Sequence, residues 1–303
     1  MRKDFLTIGR ANAKLNLHLQ VLNRRSDNYH NIFSVMAELE IHDLLKLEAF
    51  EVSGGSGAVK IDIVSSGGAF SSLVDGLPAD ENLISIAVKK YLANIGCGGY
   101  MRFALEKNIP SGAGLGGGSS DAASALNLVC GALKRKPDSE LYAAAEAAGS
   151  DVPFFISGGI AFAEGRGEIL QKIECRVRHT VILVNNGIHV NTGAAYSALK
   201  RGLANPSPDF DAERRKREIR AVIPEISEWK NSFINDFEDA VFGMHPELAG
   251  LKRSLYRLGA DFSLMSGSGS TIYGIFKEEN MAEKAASELE KEGNRVFITR
   301  ICA

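Results

Sequence analysis

A run of small residues in the middle of this 303-residue sequence could bind an anion through its backbone. The stretch from Pro110 to Ser120 reads Pro-Ser-Gly-Ala-Gly-Leu-Gly-Gly-Gly-Ser-Ser, and its glycines lack the Cβ atoms that keep an anion away from backbone N–H groups. Leu126, Val129 and Leu133 follow at helical spacing, so a helix begins where the loop ends. The first turn of a helix has N–H groups without intrahelical partners and carries partial positive charge. The pattern therefore predicts a phosphate-binding loop.

Two familiar glycine-rich motifs differ from this loop. Gly112, Gly114 and Gly117 satisfy G-x-G-x-x-G, but a dinucleotide site also needs an acidic residue at the end of a following strand. Here a turn at 134–138 leads into another helical run, which disfavours dinucleotide binding. A Walker loop needs a lysine directly after its last glycine, where this chain has Ser119. A loop without any ligand remains the structural alternative.

Polar residues elsewhere in the chain have the chemistry to act on a bound phosphate. Lys14 and Asn16 alternate with leucines on a strand predicted over residues 5–22, so they lie on its polar face. Asp151 stands between a glycine turn and a strongly apolar run. A lysine on a strand is often only solvated, and an aspartate at a turn is often a helix cap, so both structural interpretations stay open.

A second glycine cluster occurs at residues 266–271, before a predicted strand. It is either a turn or a second anion-binding segment packed beside the first. The residues assigned to this second segment are Gly267, Ser268 and Gly269. Tyr29 and His30 end a polar turn, where capping or packing would explain them equally well.

The composition argues against several classes of protein. A net charge of −2 and a pI near 6.3 do not suit a nucleic-acid or membrane surface. The 4 cysteines form no C-x-x-C pair and the 6 histidines show no ligand spacing, so neither a disulfide framework nor a transition-metal site is expected. Free thiols, no apolar run of membrane-spanning length and no signal-peptide pattern predict a cytoplasmic protein.

The remaining pattern predicts a mixture of strands and helices. Strands at 44–52 and 59–64 flank a glycine-rich segment that is typical of a hairpin connection. A helix is predicted from Asp80, its expected N-cap, to Tyr91. The charged run 213–218 is predicted to be a solvated helix face.

Three blocks of sequence together resemble a known superfamily. They are Ala13–Leu17, Pro110–Ser120 and Ser266–Ser270. These blocks resemble the motifs of the galactokinase, homoserine kinase, mevalonate kinase and phosphomevalonate kinase superfamily. Within it, Tyr29-His30 and the segments 149–154 and 161–168 are most similar to the family of 4-diphosphocytidyl-2-C-methyl-D-erythritol kinases. The resemblance covers the chain from about Ala11 to Phe276.

The resemblance implies an α+β fold of two domains with the active site in the cleft between them. An N-terminal ATP-binding domain over residues 1–158 would contain a left-handed β-α-β crossover, and a C-terminal α/β sandwich over residues 159–303 would contribute to the substrate cleft. The implied reaction transfers a phosphoryl group from ATP to the 2-hydroxyl of the cytidyl-linked methylerythritol, in the non-mevalonate isoprenoid pathway. Mg²⁺ is the implied metal, with Ser119 or Ser120 as its protein ligand.

The resemblance also assigns the catalytic and ATP-binding residues. Asp151 corresponds to the base, and Lys14 to its catalytic partner, which keeps that carboxylate ionised and steadies the phosphoryl group. The residues matching the ATP-binding loop are Pro110, Ser111, Gly112, Ala113, Gly114, Leu115, Gly116, Gly117, Gly118, Ser119 and Ser120.

For the substrate, the resemblance implies an aromatic sandwich around the cytosine ring. Tyr29 and Tyr196 correspond to the two aromatics, and His30 to the group that hydrogen-bonds the base edge. Asn16 corresponds to a residue near the methylerythritol hydroxyls. The small molecule is the expected partner, and neither a nucleic acid nor a membrane is expected to bind. The protein is expected to be a monomer or weak homodimer.

The chain departs from the family pattern at three positions. Asn28 stands where Gly is common, and Asp121 and Ser150 stand where Asn and Ala are common. A sister kinase acting on homoserine or a mevalonate derivative is the nearest alternative, and it would have no need of paired aromatics. A catalytically silent regulator of the same fold is the alternative from another class, although both Lys14 and Asp151 are retained.

Overall fold

The structure of the chain is a computed structural model that describes residues 3–55, 57–78, 80–199 and 210–302. The strands in these ranges are β1 Lys3–Arg24, β2 His30–Gly54, β3 Val59–Gly67, β4 Cys97–Glu106, β5 Ile160–Gly165, β6 Ile169–Lys172, β7 Thr180–Asn185, β8 Phe262–Met265, β9 Ile272–Phe276 and β10 Arg295–Arg300. The helices are α1 Ser72–Asp75, α2 Leu83–Asn94, α3 Gly117–Ala132, α4 Ser139–Ala148, α5 Val152–Ser157, α6 Thr192–Ala198, α7 Ala212–Val222, α8 Trp229–Ser232, α9 Phe237–Met244, α10 Pro246–Arg257 and α11 Glu279–Lys291, with a 3₁₀ turn at Ile226–Glu228. Among the helices of these ranges, none combines the length and the hydropathy that a membrane crossing requires.

The contacts between these elements divide the chain into two compact units that interleave along the sequence. Unit 1 comprises residues 1–13, 41–111 and 116–158, and unit 2 comprises residues 14–40, 112–115 and 159–303. The long strands β1 and β2 therefore each contribute residues to both units. One of the divisions falls between residues 158 and 159, where the sequence places the domain boundary. The two continuous domains predicted on either side of it stay a prediction.

In unit 1, β4 lies between β3, to which it is parallel, and the second half of β2, to which it is antiparallel. The predicted hairpin between β2 and β3 is therefore wrong. A Cβ on Gly99 would lie 2.0 Å from the carbonyl oxygen of Glu51, and one on Gly98 would lie 2.7 Å from Gly57 Cα. Glycine is needed at these two positions because the backbone of β4 lies too close to the neighbouring chain segments to leave room for a side chain. Parallel pairing of β3 and β4 requires a crossover, which contains α2, and its left-handedness stays a prediction.

The helices of unit 1 form a layer in which α3 packs against α2 and α5, and α2 packs against α4. Most alanines of α3 are buried, which lets the helix axes approach closely. Helix α2 is capped by Asn82, whose side chain accepts a hydrogen bond from the N–H of Ile84. The predicted cap at Asp80 is wrong because the helix begins after Asn82.

In unit 2, the first half of β2 pairs with β5, and β5 pairs with β6. A separate antiparallel sheet has the order β10-β7-β9-β8, and α10 and α11 pack against its central strands. All residues of β7 and β9 are buried, as expected for continuous apolar runs. Trp229 and Phe262 pack edge to face in this core, with ring centroids 5.5 Å apart. Unit 2 thus has helices packed against a sheet, as in an α/β sandwich.

Candidate active site

The glycine loop predicted from the sequence leads into α3, whose first residue is Gly117. Gly112, Gly114 and Gly116 have φ angles of 66°, 78° and 70°, which residues with a Cβ rarely adopt. Gly116 occupies the N-cap position and has no side chain that could bond the N–H groups of the first turn. The helix thus leaves these N–H groups for an oxygen acceptor, as a phosphate loop requires.

Residues 112–115 of this loop contact the second glycine cluster inside unit 2. Ser266 Oγ donates a hydrogen bond of 2.8 Å to the carbonyl oxygen of Gly114. The N–H of Thr271 donates to the carbonyl oxygen of Ala113 at 3.2 Å. A Cβ on Gly267 would lie 3.4 Å from Gly114 Cα, so the two backbones run side by side. The structure therefore brings the two glycine segments together.

Lys14 and Asn16 on β1 lie next to this pair of glycine segments. Lys14 is 4% exposed, and its Nζ donates to Asn16 Oδ1 at 2.6 Å. The backbone N–H of Lys14 donates to the carbonyl oxygen of Leu115 at 3.0 Å. Asn16 Nδ2 donates to Ser34 Oγ at 2.8 Å, which directs Asn16 Oδ1 toward the lysine. The lysine is buried and oriented, which contradicts the interpretation of a solvated surface residue.

His18 continues the polar face of β1 but has a structural role. Its Nδ1 accepts a hydrogen bond of 3.2 Å from the N–H of Ile234, so Nε2 carries the proton and donates to Gln20 Oε1 at 3.0 Å. Burial lowers the pKa of His18 to about 4, although the bond to Gln20 opposes this. The imidazole is therefore neutral near pH ~7.

Asp151 lies in unit 1 at the N-cap position of α5, but its side chain makes no capping hydrogen bond. At the same position of α4, the side chain of Asp138 accepts a hydrogen bond of 3.0 Å from the N–H of Leu141. Helix capping therefore does not explain Asp151. The turn before it lies beside the glycine loop, because a Cβ on Gly149 would be 3.8 Å from Ser119 Oγ. Unit 1 thus places this turn at the start of α3.

The two serines predicted to bind a metal have different surroundings. Ser120 is 1% exposed, and its Oγ donates to the carbonyl oxygen of Gly117 at 2.9 Å. Ser119 is partly exposed. The described ranges contain no group of three or more His, Cys, Asp or Glu side chains suited to a metal ion. Of the two serines, Ser119 is therefore the more accessible.

The aromatic residues predicted for the substrate all belong to unit 2. His30 and Tyr196 stack with ring centroids 4.7 Å apart and planes inclined by 18°. Phe237 supports Tyr196 edge on at 4.8 Å. Tyr29 is 53% exposed, and the guanidinium carbon of Arg166 lies 5.0 Å from its ring centroid. The structure therefore groups His30 with Tyr196, and Tyr29 with a cation that the sequence did not indicate.

A buried ion cluster beside the start of α3 was also missed in the sequence. Lys107 Nζ bonds Asp43, and it lies 2.7 Å from Asp121 Oδ2. Burial lowers the pKa of Lys107, but the carboxylates of Asp121 and Asp43 outweigh it and leave that pKa above its ordinary value. Asp121 stands where the resemblance implies Asn, and nothing local in the sequence pairs it with Lys107.

Two protein-family models match this chain. The model described as the GHMP kinases N terminal domain matches residues 82–159, and the model described as GHMP kinases C terminal matches residues 215–295. Together with the two units and their sheets, these matches confirm the α+β fold that the sequence predicts.

Individual relatives match over nearly the whole chain. A protein of Porphyromonas gingivalis named 4-diphosphocytidyl-2-C-methyl-D-erythritol kinase is 37% identical over 284 residues, covering 91% of this chain and 94% of that protein. A protein of the same name from Solibacter usitatus is 36% identical, covering 93% and 85%. A crystal structure of 4-(cytidine 5'-diphospho)-2C-methyl-D-erythritol kinase is 32% identical with a TM-score of 0.75, covering 98% and 100%. The homoserine kinase of Cytophaga hutchinsonii, with a TM-score of 0.72 at 18% identity and coverage of 99% and 95%, shares the fold.

Proposed function

Because this chain belongs to the family of 4-diphosphocytidyl-2-C-methyl-D-erythritol kinases, we propose that it transfers the γ-phosphoryl group of ATP to the 2-hydroxyl of that substrate. It is an ATP-dependent kinase with both GHMP kinase domains. The observation that carries the proposal is the ammonium group of Lys14, buried and bonded to Asn16 beside residues 112–115. The reaction belongs to the non-mevalonate route to isoprenoid precursors.

The residues of unit 2 supply charge and orientation. An alcohol is a weak nucleophile, so phosphoryl transfer depends on in-line positioning and on neutralising the charge of the transferring group. Lys14 provides that positive charge, and its bond to Asn16 fixes its direction before substrate arrives. Asn16 in turn is oriented by Ser34, so its amide is set to hydrogen-bond the polyol.

The residues of unit 1 bind the nucleotide phosphates and accept a proton. The first turn of α3 presents N–H groups to the phosphate oxygens. Asp151 accepts the proton of the attacking hydroxyl, a contribution that comes late in phosphoryl transfer. Mg²⁺ bound with ATP supplies further neutralisation of the phosphate charge, and Ser119 is the residue that would hold it.

The aromatic residues of unit 2 bind the cytosine ring. Tyr196, stacked on His30, offers a flat apolar surface, and Tyr29 offers a second exposed ring. Base stacking on an aromatic ring contributes about 1–3 kcal/mol. His30 reads the base edge through hydrogen bonds. The enzyme acts as a monomer or weak homodimer on this small molecule, without a nucleic-acid or membrane partner.

The cytoplasm is the compartment proposed for this reaction. All of the cysteines, Cys97, Cys130, Cys175 and Cys302, are free thiols, which suits a reducing compartment. Recovery of the enzyme from an oxidising compartment or from the exported fraction, after cell fractionation, would contradict this location.

An ATP-dependent phosphorylation assay on the cytidyl-linked substrate tests the function. We expect turnover by the wild type, and losses of about 100-fold or more in kcat for Lys14→Ala and Asp151→Ala. Lys216 is a buried lysine paired with Glu164 at 2.5 Å, and Lys216→Ala is the matched control that retains turnover. Asp138→Ala is the matched control for Asp151, since it removes a real helix cap and lowers stability by about 1 kcal/mol while turnover persists.

The same assay separates the alternatives. Transfer to homoserine or mevalonate, with none to the cytidyl-linked substrate, would show that the chain is a sister kinase. Binding of ATP with no turnover of any of these alcohols would show a silent ligand-binding protein. Turnover unchanged by Asp151→Asn would refute the role of Asp151.

A further inference from the structure

We propose that Lys107 is a positioning residue for ATP, because its ammonium group joins the two ends of the glycine loop through Asp43 and Asp121. The inference rests on the proposed function, in that the loop is taken as the ATP-phosphate site. It concerns unit 1, which contains all three residues. Each of them is buried, so the cluster lies inside the unit and not on its surface.

The carboxylate of Asp43 fixes the chain just before the loop. Asp43 Oδ1 accepts a hydrogen bond of 2.8 Å from the N–H of Ile109, and it also accepts one from the N–H of Asn108. Its second oxygen, Oδ2, accepts from Lys107 Nζ. One fully buried side chain thus binds three consecutive residues that lead directly to Pro110.

Asp121 fixes the other end of the loop. It follows Ser120 within α3, and its Oδ2 accepts a hydrogen bond of 2.7 Å from Lys107 Nζ. The same ammonium group lies against the first residue of the helix, because a Cβ on Gly117 would be only 3.1 Å from Nζ. The position of α3, and so of its first-turn N–H groups, is therefore tied to the chain before the loop.

Backbone hydrogen bonds fix the position of Lys107 itself. Its N–H donates to the carbonyl oxygen of Gly67 at 3.0 Å, and its carbonyl oxygen accepts from the N–H of Phe70 at 2.9 Å. A Cβ on Gly68 would lie 2.3 Å from that carbonyl oxygen, so the two backbones pack as closely as glycine permits. Movement of α3 away from the loop would require breaking a buried ion pair.

Stability alone does not account for such a cluster. Burying a lysine with two carboxyl groups carries a desolvation cost, and an apolar set of similar volume often stabilises a fold equally well. Asp121 Oδ1 is buried with no hydrogen-bond partner in the described part of the chain, a further cost. The directional hydrogen bonds from Lys107 Nζ to both sides of the loop fix the relative positions of those sides, which apolar packing would not do.

The test compares Lys107→Met with Lys216→Met, a matched loss of a buried, ion-paired lysine outside unit 1. Calorimetry measures binding of the non-hydrolysable analogue AMP-PNP, and steady-state kinetics give the two KM values. We expect Lys107→Met to weaken AMP-PNP binding and to raise the KM for ATP by about 10-fold to 100-fold, because misdirected first-turn N–H groups lose hydrogen bonds to charged phosphate oxygens. The KM for the cytidyl-linked substrate should change by less than about 2-fold, and Lys216→Met should leave all three values unchanged.

A folded Lys107→Met enzyme with wild-type affinity for AMP-PNP would overturn the inference. If that variant does not fold, Asp121→Asn and Asp121→Ala decide the matter. Asparagine keeps an acceptor for Lys107 Nζ and should hold AMP-PNP affinity within about 2-fold, whereas alanine should weaken it by about 10-fold. Equal affinities for the two variants would refute the positioning role, and failure of the wild type to bind AMP-PNP would refute the proposed function.

Discussion

The carbonyl oxygen of Ser266 occupies the space that a side chain on Gly114 would need. A Cβ built on Gly114 would lie 2.1 Å from that oxygen, a distance that real Cβ atoms do not reach. Gly114 also has a φ of 78°, and its own carbonyl oxygen accepts the hydroxyl of Ser266 at 2.8 Å. Position 114 therefore requires glycine both for its backbone conformation and for the contact between the two glycine segments.

Gly114→Ala should lower the free energy of unfolding by about 2–3 kcal/mol, through positive-φ strain and displacement of residue 266. Gly118→Ala is the matched control, because the nearest atom to its Cβ would be Leu83 Cδ1 at 3.6 Å. Its helical position should make that variant as stable as the wild type, or up to about 1 kcal/mol more stable. Urea denaturation of both variants measures the difference, and equal stabilities would contradict it.

The stacked pair of His30 and Tyr196 leads to a prediction about substrate affinity. Tyr196→Ala removes the ring that lies 4.7 Å from the imidazole, so the KM for the cytidyl-linked substrate should rise by about 10-fold to 100-fold. The KM for ATP should stay the same. Tyr196→Phe keeps the ring and should change neither value by more than about 3-fold. A comparable loss in both variants would show that the hydroxyl, and not stacking, is what matters.

The features that could be predicted from the sequence are those whose chemistry is local. The glycine loop before α3 is contiguous, and its conformation follows from glycine itself. Lys14 and Asn16 are two residues apart on one strand, so alternation was enough to place them on one face. The functional assignment of these residues came from the resemblance, because the alternating pattern alone is also compatible with a solvated surface lysine.

The features that could not be predicted depend on residues far apart in the sequence. The Lys107 cluster needs Asp43 from β2 and Asp121 from α3, and a lone lysine before a loop gives no sign of either. Likewise, the glycines of β4 allow close backbone approach, whereas local rules treat glycine-rich segments near strands as turns. Both features therefore depend on contacts between segments that are distant in the sequence.

Asn28 gives a test of the departure from the family pattern in the Tyr29 loop. It has a φ of 68°, a conformation that glycine adopts readily, and its Oδ1 accepts a hydrogen bond of 2.8 Å from Arg24. Asparagine tolerates this conformation, so Asn28→Gly should leave the free energy of unfolding within about 0.5 kcal/mol of the wild type. Asn28→Val should lower it by about 1–2 kcal/mol, because a β-branched residue is strained there. Thermal denaturation distinguishes the two, and a stable valine variant would contradict the left-handed conformation.

His18 predicts how stability depends on pH. Burial lowers its pKa from the ordinary 6.5 to about 4, so between these values the unfolded chain binds a proton that the folded chain does not. The free energy of unfolding therefore decreases as the pH falls through this window, and the contribution is complete above the ordinary pKa. From about pH 7 to about pH 4.5 this residue alone should remove about 2–3 kcal/mol.

His18→Asn isolates that contribution from other titrating groups. The asparagine Oδ1 can accept the hydrogen bond from Ile234 that His18 Nδ1 accepts now, but it does not titrate in this range. Urea denaturation at several pH values should show the wild type losing stability relative to the variant on acidification, by about 2–3 kcal/mol at about pH 4.5. A constant difference between the two proteins across this range would mean that the pKa of His18 is the same in the folded and unfolded chains.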